Sequence, residues 1–268
     1  MNCRTRGACT GGHRYIPPPY QQAHWNAFAG IPYQAQGPVG DPPAAWVNRY
    51  DLQHVPNREA FPNYQLDRNA ARAIRINPAN DVLFGYVCAM AWGDQGGGPG
   101  ARRHVIAAWN ARAQIFQHLI ELRAGGLSRS DAYNLFRNPG ILGLDPSFFS
   151  KLLYFFSPIP SFYIMDQWTA KSVNLLTGNW VVRMAGNAPS NQNNGGNYQA
   201  FCEEIDLMAG IIGCTGQVVE ERLFSQGGRH PWPWRAHVRL HWMTSAPEGR
   251  YNAAAMHGIY PHIPIADF

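Results

Sequence analysis

The sequence contains little cysteine, and its cysteines lack the spacing of a metal or redox site. The five cysteines among 268 residues are scattered, and no two of them are separated by only two residues. The C-x-x-C pattern of zinc and redox sites and the four-cysteine run of iron–sulfur proteins are therefore absent. We expect a reduced, cytoplasmic protein that requires no metal or cofactor.

Long apolar runs are also absent. No run approaches the roughly 20 apolar residues that cross a bilayer. Residues 1–12 contain arginines but lack the apolar core of a secretory signal. We therefore expect a protein that is neither exported nor embedded in a membrane.

Charged residues are few, at 15% of the chain, whereas 46% of the residues are hydrophobic. A chain of this length and composition can bury the core of one large domain or two small ones. The formal net charge of +5 suits a polyanionic partner, but many basic proteins have no such partner. Charge alone does not identify the function.

The first 65 residues are rich in Pro, Gly, Gln and Asn, with proline-containing breaks at residues 17–19, 37–38 and 42–43. Such breaks disfavour long regular elements. The aromatic residues of this segment, Trp25, Phe28, Tyr33 and Trp46, nevertheless argue that parts of it pack on something. We predict an irregular N-terminal arm over residues 1–65 that packs on a helical domain of residues 66–268. A disordered tail is the alternative.

Helical patterns follow along most of the remaining chain. Asp81 is placed to cap a helix that ends at Gly93, and Ser128 is placed to cap a short helix that ends before Pro139. One long helix is expected from about Arg103 to Ala124, and a further helical region, interrupted near residues 210–216, from 198 to 223. The run HPWPWRAHVRLHWMT at residues 230–244 alternates in polarity and is predicted to be a strand.

Two helix starts organise residues 138–178. Asp145 followed by Pro146 is an N-cap residue followed by the residue that best fits the first helical position. The apolar residues after it recur at helical spacing until Pro158. Asp166 follows an apolar run and precedes another helical pattern, so it is predicted to cap the next helix.

The connection from Gly140 to Leu144 is tight, so the order is helix, hairpin turn, helix, bend and a helix capped by an acid. This order resembles the helix-hairpin-helix DNA glycosylase superfamily, whose turn is usually Leu-Pro-Gly-Val-Gly-Pro. In that family a catalytic aspartate caps a helix about one helix later, the position of Asp166. Ser147 stands where bifunctional members carry a lysine nucleophile, and Asp145 replaces the second glycine of the turn.

The segments SKLLYFFSP and YIMDQWTAKSVNLL are similar in sequence to prokaryotic 8-oxoguanine-glycosylase-like proteins. The similarity is in particular to antiviral glycosylases that remove glucosylated cytosine from phage DNA. The resemblance implies a mainly α, helix-hairpin-helix DNA glycosylase fold with the motif at about residues 128–157. It also implies a monomer that excises a modified base from double-stranded DNA and leaves an abasic site. Two alternatives are repair of 8-oxoguanine and a DNA-binding protein without catalysis.

Asp166 and Lys151 are the candidate catalytic residues. Base excision develops positive charge on the sugar, which a carboxylate can oppose, although an aspartate at a helix start is more often only an N-cap. Lys151 lies one helical turn after Ser147 on the same face. It can act as a nucleophile, contact substrate or pair with an acid. Substrate contact or pairing is favoured, so we expect a monofunctional enzyme.

The hairpin is the candidate DNA anchor. Backbone amides at the start of the helix that begins at Pro146 should grip a phosphate, and family members often add a monovalent cation held by turn carbonyls. A bare helix–helix turn is the alternative. The residues expected to contact DNA are Leu142, Gly143, Leu144, Asp145, Ser147 and Lys171.

A flipped base also needs a pocket. The candidates that we expect to line it are Ser147, Lys151, Trp92, Trp168, Tyr198 and Phe201. For each aromatic residue, packing in the core is the alternative role.

Overall fold

The computed structural model of the protein describes residues 20–77, 79–94, 100–224 and 233–242. Within these ranges it is mainly α, as the sequence predicted. The helices are α1 (Gln22–Ala29), α2 (Pro43–Tyr50), α3 (Arg68–Ile76), α4 (Val82–Gly93), α5 (Ala101–Asn110), α6 (Arg112–Ala124), α7 (Arg129–Arg137), α8 (Pro146–Phe156), α9 (Gln167–Thr177), α10 (Gly195–Ile212), α11 (Gly216–Phe224) and α12 (Pro233–His241). A 3-10 turn covers Arg58–Ala60, and β1 (Met184–Ala185) pairs antiparallel with β2 (Ala188–Pro189).

Helix α4 lies at the centre of one half of the core. It is apolar on almost every side, as expected of a helix enclosed by others. Helices α2, α3, α6 and α8 pack around it. At Gly85 a Cβ would lie 3.1 Å from the ring of Phe156, so α8 approaches α4 closely at this point.

The predicted helix starts are confirmed. The side chains of Asp81, Ser128, Asp145 and Asp166 each accept a hydrogen bond from a backbone N–H in the first turn of α4, α7, α8 and α9. Helix α8 ends at Phe156, just before Pro158, as its pattern indicated.

The described part of the expected arm, residues 20–65, is not irregular throughout. It forms α1 and α2 and buries Trp25, Phe28 and Trp46. Pro42 and Pro43 were expected to break regular structure, but they occupy the N-cap and first position of α2, where proline fits a helix. Helix α1 packs on α9 and α12, and α2 packs on α4 and α5. Residues 1–19 lie outside the described residues, and the domain boundary at residue 65 stays a prediction.

Two further expectations were wrong. The helix predicted from Arg103 to Ala124 is two helices, because the chain bends at Ala111. The bend lets both Trp109 and Ile115 reach the core, and the Trp109 indole N–H donates to the Gln53 carbonyl at 2.8 Å. The strand predicted within residues 230–244 is α12 over residues 233–241, and its buried residues recur at helical spacing: Trp234, Arg235 and Val238.

Candidate functional site

A cavity of about 220 Å³ opens where the starts of α3 and α9 meet the ends of α4 and α11. Four of the residues selected from the sequence line it: Asp166, Lys151, Trp92 and Trp168. They come from α4, α8 and the start of α9, so helix packing brings the three elements together. The cavity is the candidate active site.

The Asp166 carboxylate is held rigidly at the start of α9. Its Oδ1 accepts hydrogen bonds from the Trp168 N–H at 2.8 Å and the Thr169 N–H at 3.0 Å. The buried Thr169 hydroxyl accepts from the Asp166 N–H and donates to the Ile164 carbonyl at 2.8 Å, which completes a capping box. Asp166 Oδ2 accepts no hydrogen bond from the residues that the structure describes. Oδ1 therefore serves the helix cap, and Oδ2 remains available to a ligand in the cavity.

Lys151 projects from α8 past the end of α4. Its Nζ donates to the Gly93 carbonyl at 3.3 Å and lies 4.7 Å from the centre of the Phe148 ring. A Cβ at Gly93 would lie 2.7 Å from Lys151 Nζ, so a residue with a side chain at 93 would displace the lysine. Burial lowers the pKa of Lys151, while the carboxylates of Asp166, Asp145 and Asp94 oppose this shift.

A second cavity, of about 250 Å³, lies on the other side of Lys151 and Gly93, which line both spaces. Its walls are mainly apolar and include Trp46, Tyr86 and Phe148. Asp94 lies at its edge, where the carboxylate accepts from the Trp46 indole at 2.9 Å and the Tyr50 hydroxyl at 2.5 Å. Lys151 and Gly93 therefore lie between the two cavities, of which the second is the more apolar.

A buried ion pair that the sequence did not reveal forms one wall of the first cavity. Arg68 at the start of α3 pairs with Glu220 of α11, and both are almost fully buried. Arg68 Nε also donates to Gln36 Oε1 at 2.9 Å, and its guanidinium lies 5.2 Å from the centre of the Trp92 ring. Burial raises the pKa of Glu220 to about 7, although the positive charge of Arg68 lowers it. A carboxylate on the apolar face of α11, between Val219 and Leu223, is the local signal that could have identified Glu220.

Three cations lie close to the ring of Trp168. Lys171, Arg235 and Arg239 lie 5.4, 4.7 and 5.4 Å from the centre of an indole ring that also borders the cavity. Lys171 is only 5% exposed and donates to Asn187 Oδ1 at 2.7 Å. Burial lowers the pKa of Lys171, as does the nearby charge of Arg239. This placement favours a structural role for Lys171 over the expected contact with DNA.

Three other candidates lie away from the cavity. Tyr198 and Phe201 are fully buried in α10, where the Tyr198 hydroxyl donates to the Tyr163 carbonyl at 2.8 Å. Ser147 lies in the first turn of α8 and does not line the cavity. Assigning these three residues to a base pocket is not supported by the structure, because their positions serve packing and the helix start.

The hairpin between α7 and α8 lies at the surface, and Leu142 is 74% exposed. At the start of α8, Asp145 Oδ1 accepts from Ser147 N at 3.0 Å and from Phe148 N at 3.3 Å, so these two amides already serve the cap, and phosphate binding by the hairpin stays a prediction. Leu144 is buried. A groove of about 300 Å³ follows the turn and includes Gly143, His104 and Arg137.

The described residues offer neither a metal-binding cluster nor a membrane-spanning helix. No three His, Cys, Asp or Glu side chains there are arranged to hold a metal ion. In the same part of the chain, no helix has the length and apolar character needed to cross a membrane. A monovalent cation at the hairpin stays a prediction.

Comparison with known proteins identifies the family. Residues 19–224 match the family described as "Putative 8-oxoguanine DNA glycosylase OGG-like protein". No curated protein and no solved structure matches the chain. The matched region runs from the residue before the described part begins to the last residue of α11, and it contains Asp166, Lys151 and the Arg68–Glu220 pair. The chain belongs to this OGG-like family of 8-oxoguanine DNA glycosylase-like proteins.

Proposed function

We propose that the protein is a DNA N-glycosylase that flips a modified base into the cavity bounded by Asp166, Lys151, Trp92 and Trp168, and releases it. The observation that carries the proposal is the rigid Asp166 carboxylate, which has one oxygen outside its capping hydrogen bonds and borders the same cavity as two indole rings. Aromatic walls suit a base taken out of the DNA stack.

The carboxylate acts on the sugar. As the bond between C1′ and the base nitrogen breaks, the sugar gains oxocarbenium character, and the fixed negative charge of Asp166 opposes the developing positive charge. Water adds to C1′, one of its protons is lost, and the base leaves with a proton. Because Ser147 stands where bifunctional family members have lysine, we propose that the reaction ends at an abasic site.

We propose glucosylated 5-hydroxymethylcytosine in phage DNA as the substrate, with a role in antiviral defence. The resemblance over residues 150–158 and 163–176 supports it. Excision of 8-oxoguanine is the alternative that the family description favours.

A panel of duplexes tests the function. The full-length protein is incubated with duplexes that carry glucosylated 5-hydroxymethylcytosine, 8-oxoguanine or unmodified bases, and alkali then breaks the strands at abasic sites. We expect breaks at glucosylated cytosine. Breaks at 8-oxoguanine alone would identify the protein as an 8-oxoguanine repair glycosylase instead. Binding without breaks in any duplex would indicate a DNA-binding protein without catalysis.

A second candidate activity is strand cleavage through a Schiff base on Lys151. The position and lowered pKa of Lys151 favour it. In this reaction the amine displaces the base at C1′ and the resulting imine leads to strand cleavage. The chain has two lysines, Lys151 and Lys171, so borohydride trapping with each lysine substituted in turn shows whether one of them forms the adduct.

For the monofunctional enzyme we expect no covalent protein–DNA adduct after borohydride treatment during turnover. Each lysine is also replaced in turn, as Lys151→Ala and Lys171→Ala. An adduct that persists in Lys171→Ala but disappears in Lys151→Ala would establish Lys151 as the nucleophile and refute the monofunctional assignment.

A further inference from the structure

Two buried N–H groups at the cavity lack an acceptor. Gln36 is 7% exposed and Trp92 is 3% exposed, and both line the cavity that contains Asp166. Gln36 Nε2 and Trp92 Nε1 have no hydrogen-bond partner in the part of the chain that the structure describes. Unpaired buried donors are unfavourable and are rare in folded proteins. The described residues contain other unpaired buried polar atoms as well, but these two belong to side chains that line one cavity, where a ligand can supply acceptors.

The Gln36 amide is held in one orientation. Arg68 Nε donates to Gln36 Oε1 at 2.9 Å, and a guanidinium can only donate, so the amide oxygen must face Arg68. Arg68 is itself fixed by Glu220, whose Oε1 lies 3.2 Å from Arg68 Nη2. Gln36 Nε2 can therefore only be the donor, because flipping the amide would place its NH₂ group against the Arg68 Nε–H group.

Trp92 is fixed in a similar way. The Arg68 guanidinium lies 5.2 Å from the centre of its ring, and the Phe155 ring packs against it at 5.1 Å between centres. An indole nitrogen is a donor only. The two donors come from distant parts of the chain, since Gln36 lies between α1 and α2 and Trp92 lies in the last turn of α4.

We propose that Gln36 and Trp92 read the flipped base by donating hydrogen bonds to two of its acceptor atoms, with the Arg68–Glu220 pair as the positioning group that orients Gln36. The inference rests on the proposed function and deepens it. It assigns the substrate to bases that present two carbonyl oxygens or unprotonated ring nitrogens to the cavity. The ring of a glucosylated cytosine has such atoms at O2 and N3, and 8-oxoguanine has carbonyls at O6 and O8.

Two substitutions remove one donor each and preserve shape. Gln36→Glu keeps an oxygen for Arg68 but replaces the NH₂ group with an acceptor. Trp92→Phe keeps an aromatic ring but removes the N–H. Both are made in the Asp166→Asn protein to prevent cleavage, and affinities are measured by fluorescence anisotropy.

The duplexes carry glucosylated 5-hydroxymethylcytosine, 8-oxoguanine or a tetrahydrofuran residue that has no base. The measured quantity is the ratio of affinity for a base-containing duplex to affinity for the tetrahydrofuran duplex. We expect each substitution to lower this ratio by roughly tenfold for the preferred base, the effect of one lost hydrogen bond. Affinity for the tetrahydrofuran duplex should not change. Gln117→Glu on the exposed face of α6 has the same charge change and should leave every affinity unchanged.

An unchanged ratio in both variants would overturn the inference, as would an equal loss of affinity for the tetrahydrofuran duplex, which would show a purely structural role. A parent protein without preference for either modified base over tetrahydrofuran would also overturn it. The proposed function is tested separately, by measuring base excision by the wild-type protein. If the wild-type protein excises neither base but the substitutions still lower the affinity ratio, Gln36 and Trp92 recognise the base and the glycosylase activity is refuted.

Discussion

The two carboxylate oxygens of Asp166 have different hydrogen-bonding environments. Oδ1 accepts the two backbone N–H groups that begin α9, while Oδ2 stays outside the capping interactions. The cap fixes the position of the carboxylate through one oxygen only. A structural role and the proposed chemical role can therefore coexist at this residue, and substitution can separate them.

Asp166→Asn should reduce excision by at least about 100-fold, the scale of losing one electrostatic contact to a transition state. Stability should change little, because asparagine is also a good N-cap. Excision is measured on the substrate of the panel, and folding by thermal unfolding. Asp81→Asn is the matched control, since Asp81 caps α4 through the Leu83 N–H and does not line the cavity. Near-normal excision by Asp166→Asn would remove this residue from the mechanism.

Residues such as Gln36, Arg68 and Glu220 show why the site was only partly predictable. Asp166 and Lys151 were found because helix caps and helical spacing are local signals along the chain. Gln36 and Glu220 are 184 positions apart in the sequence and meet at Arg68 only through packing. No pattern within one segment indicates which buried polar groups will converge.

At the level of elements, the α7–α8 hairpin is constrained from inside the protein. Gly143 has φ +83, and a Cβ there would lie 2.1 Å from the backbone oxygen of His104. The sequence analysis placed Gly143 among the residues expected to contact DNA, which stays a prediction, and the structure shows a close approach of Gly143 to α5. Gly140, at the other end of the turn, has φ +61 but open space where its Cβ would be.

These two glycines give a matched pair of alanine substitutions. Gly143→Ala should destabilise the protein by about 2–4 kcal/mol, because it adds a backbone clash to an unfavourable φ. Gly140→Ala should lower stability by only about 1–2 kcal/mol, the cost of the left-handed conformation alone. Urea unfolding of both variants measures the difference. Equal destabilisation would show that the contact with α5 does not constrain the turn.

Elements were predicted best where a cap and a periodic pattern agree, as at Asp145-Pro146 and α8. They were predicted worst where one cue stood alone. The alternating polarity around Trp234 suggested a strand, but Trp234 and Val238 are four residues apart and pack together with Arg235 on one face of α12. The Pro42-Pro43 pair suggested a break and instead begins α2.

On the scale of the whole molecule, the first and last described helices meet over α9. Helices α1 and α12 contact each other and both contact α9, the helix that Asp166 caps. Arg235 of α12 lines the cavity, although α12 lies beyond the region that matches the family. The candidate site is therefore completed by a helix outside the family match, and its integrity depends on how α1 and α12 dock.

A cluster of histidines joins these two helices. His24 of α1 is 8% exposed, and its Nδ1 lies 2.9 Å from Nε2 of His237 in α12. The ring of His241, also in α12, lies 5.1 Å from the His24 ring between centres. Burial, together with the neighbouring charges of His237 and His241, lowers the pKa of His24 from its ordinary value of 6.5 to about 4.

Stability should therefore fall as the pH decreases from 6.5 to 4. In that window the unfolded chain protonates His24 but the folded protein does not, so protons favour unfolding. His24→Gln keeps a polar contact for His237 and removes the titration at this position. Thermal midpoints are compared at pH 7.5 and pH 4.5, expressed as the drop for each protein. We expect the wild-type midpoint to fall by a few degrees more than that of His24→Gln. Equal drops would show that the docking of α1 on α12 does not depend on a neutral His24.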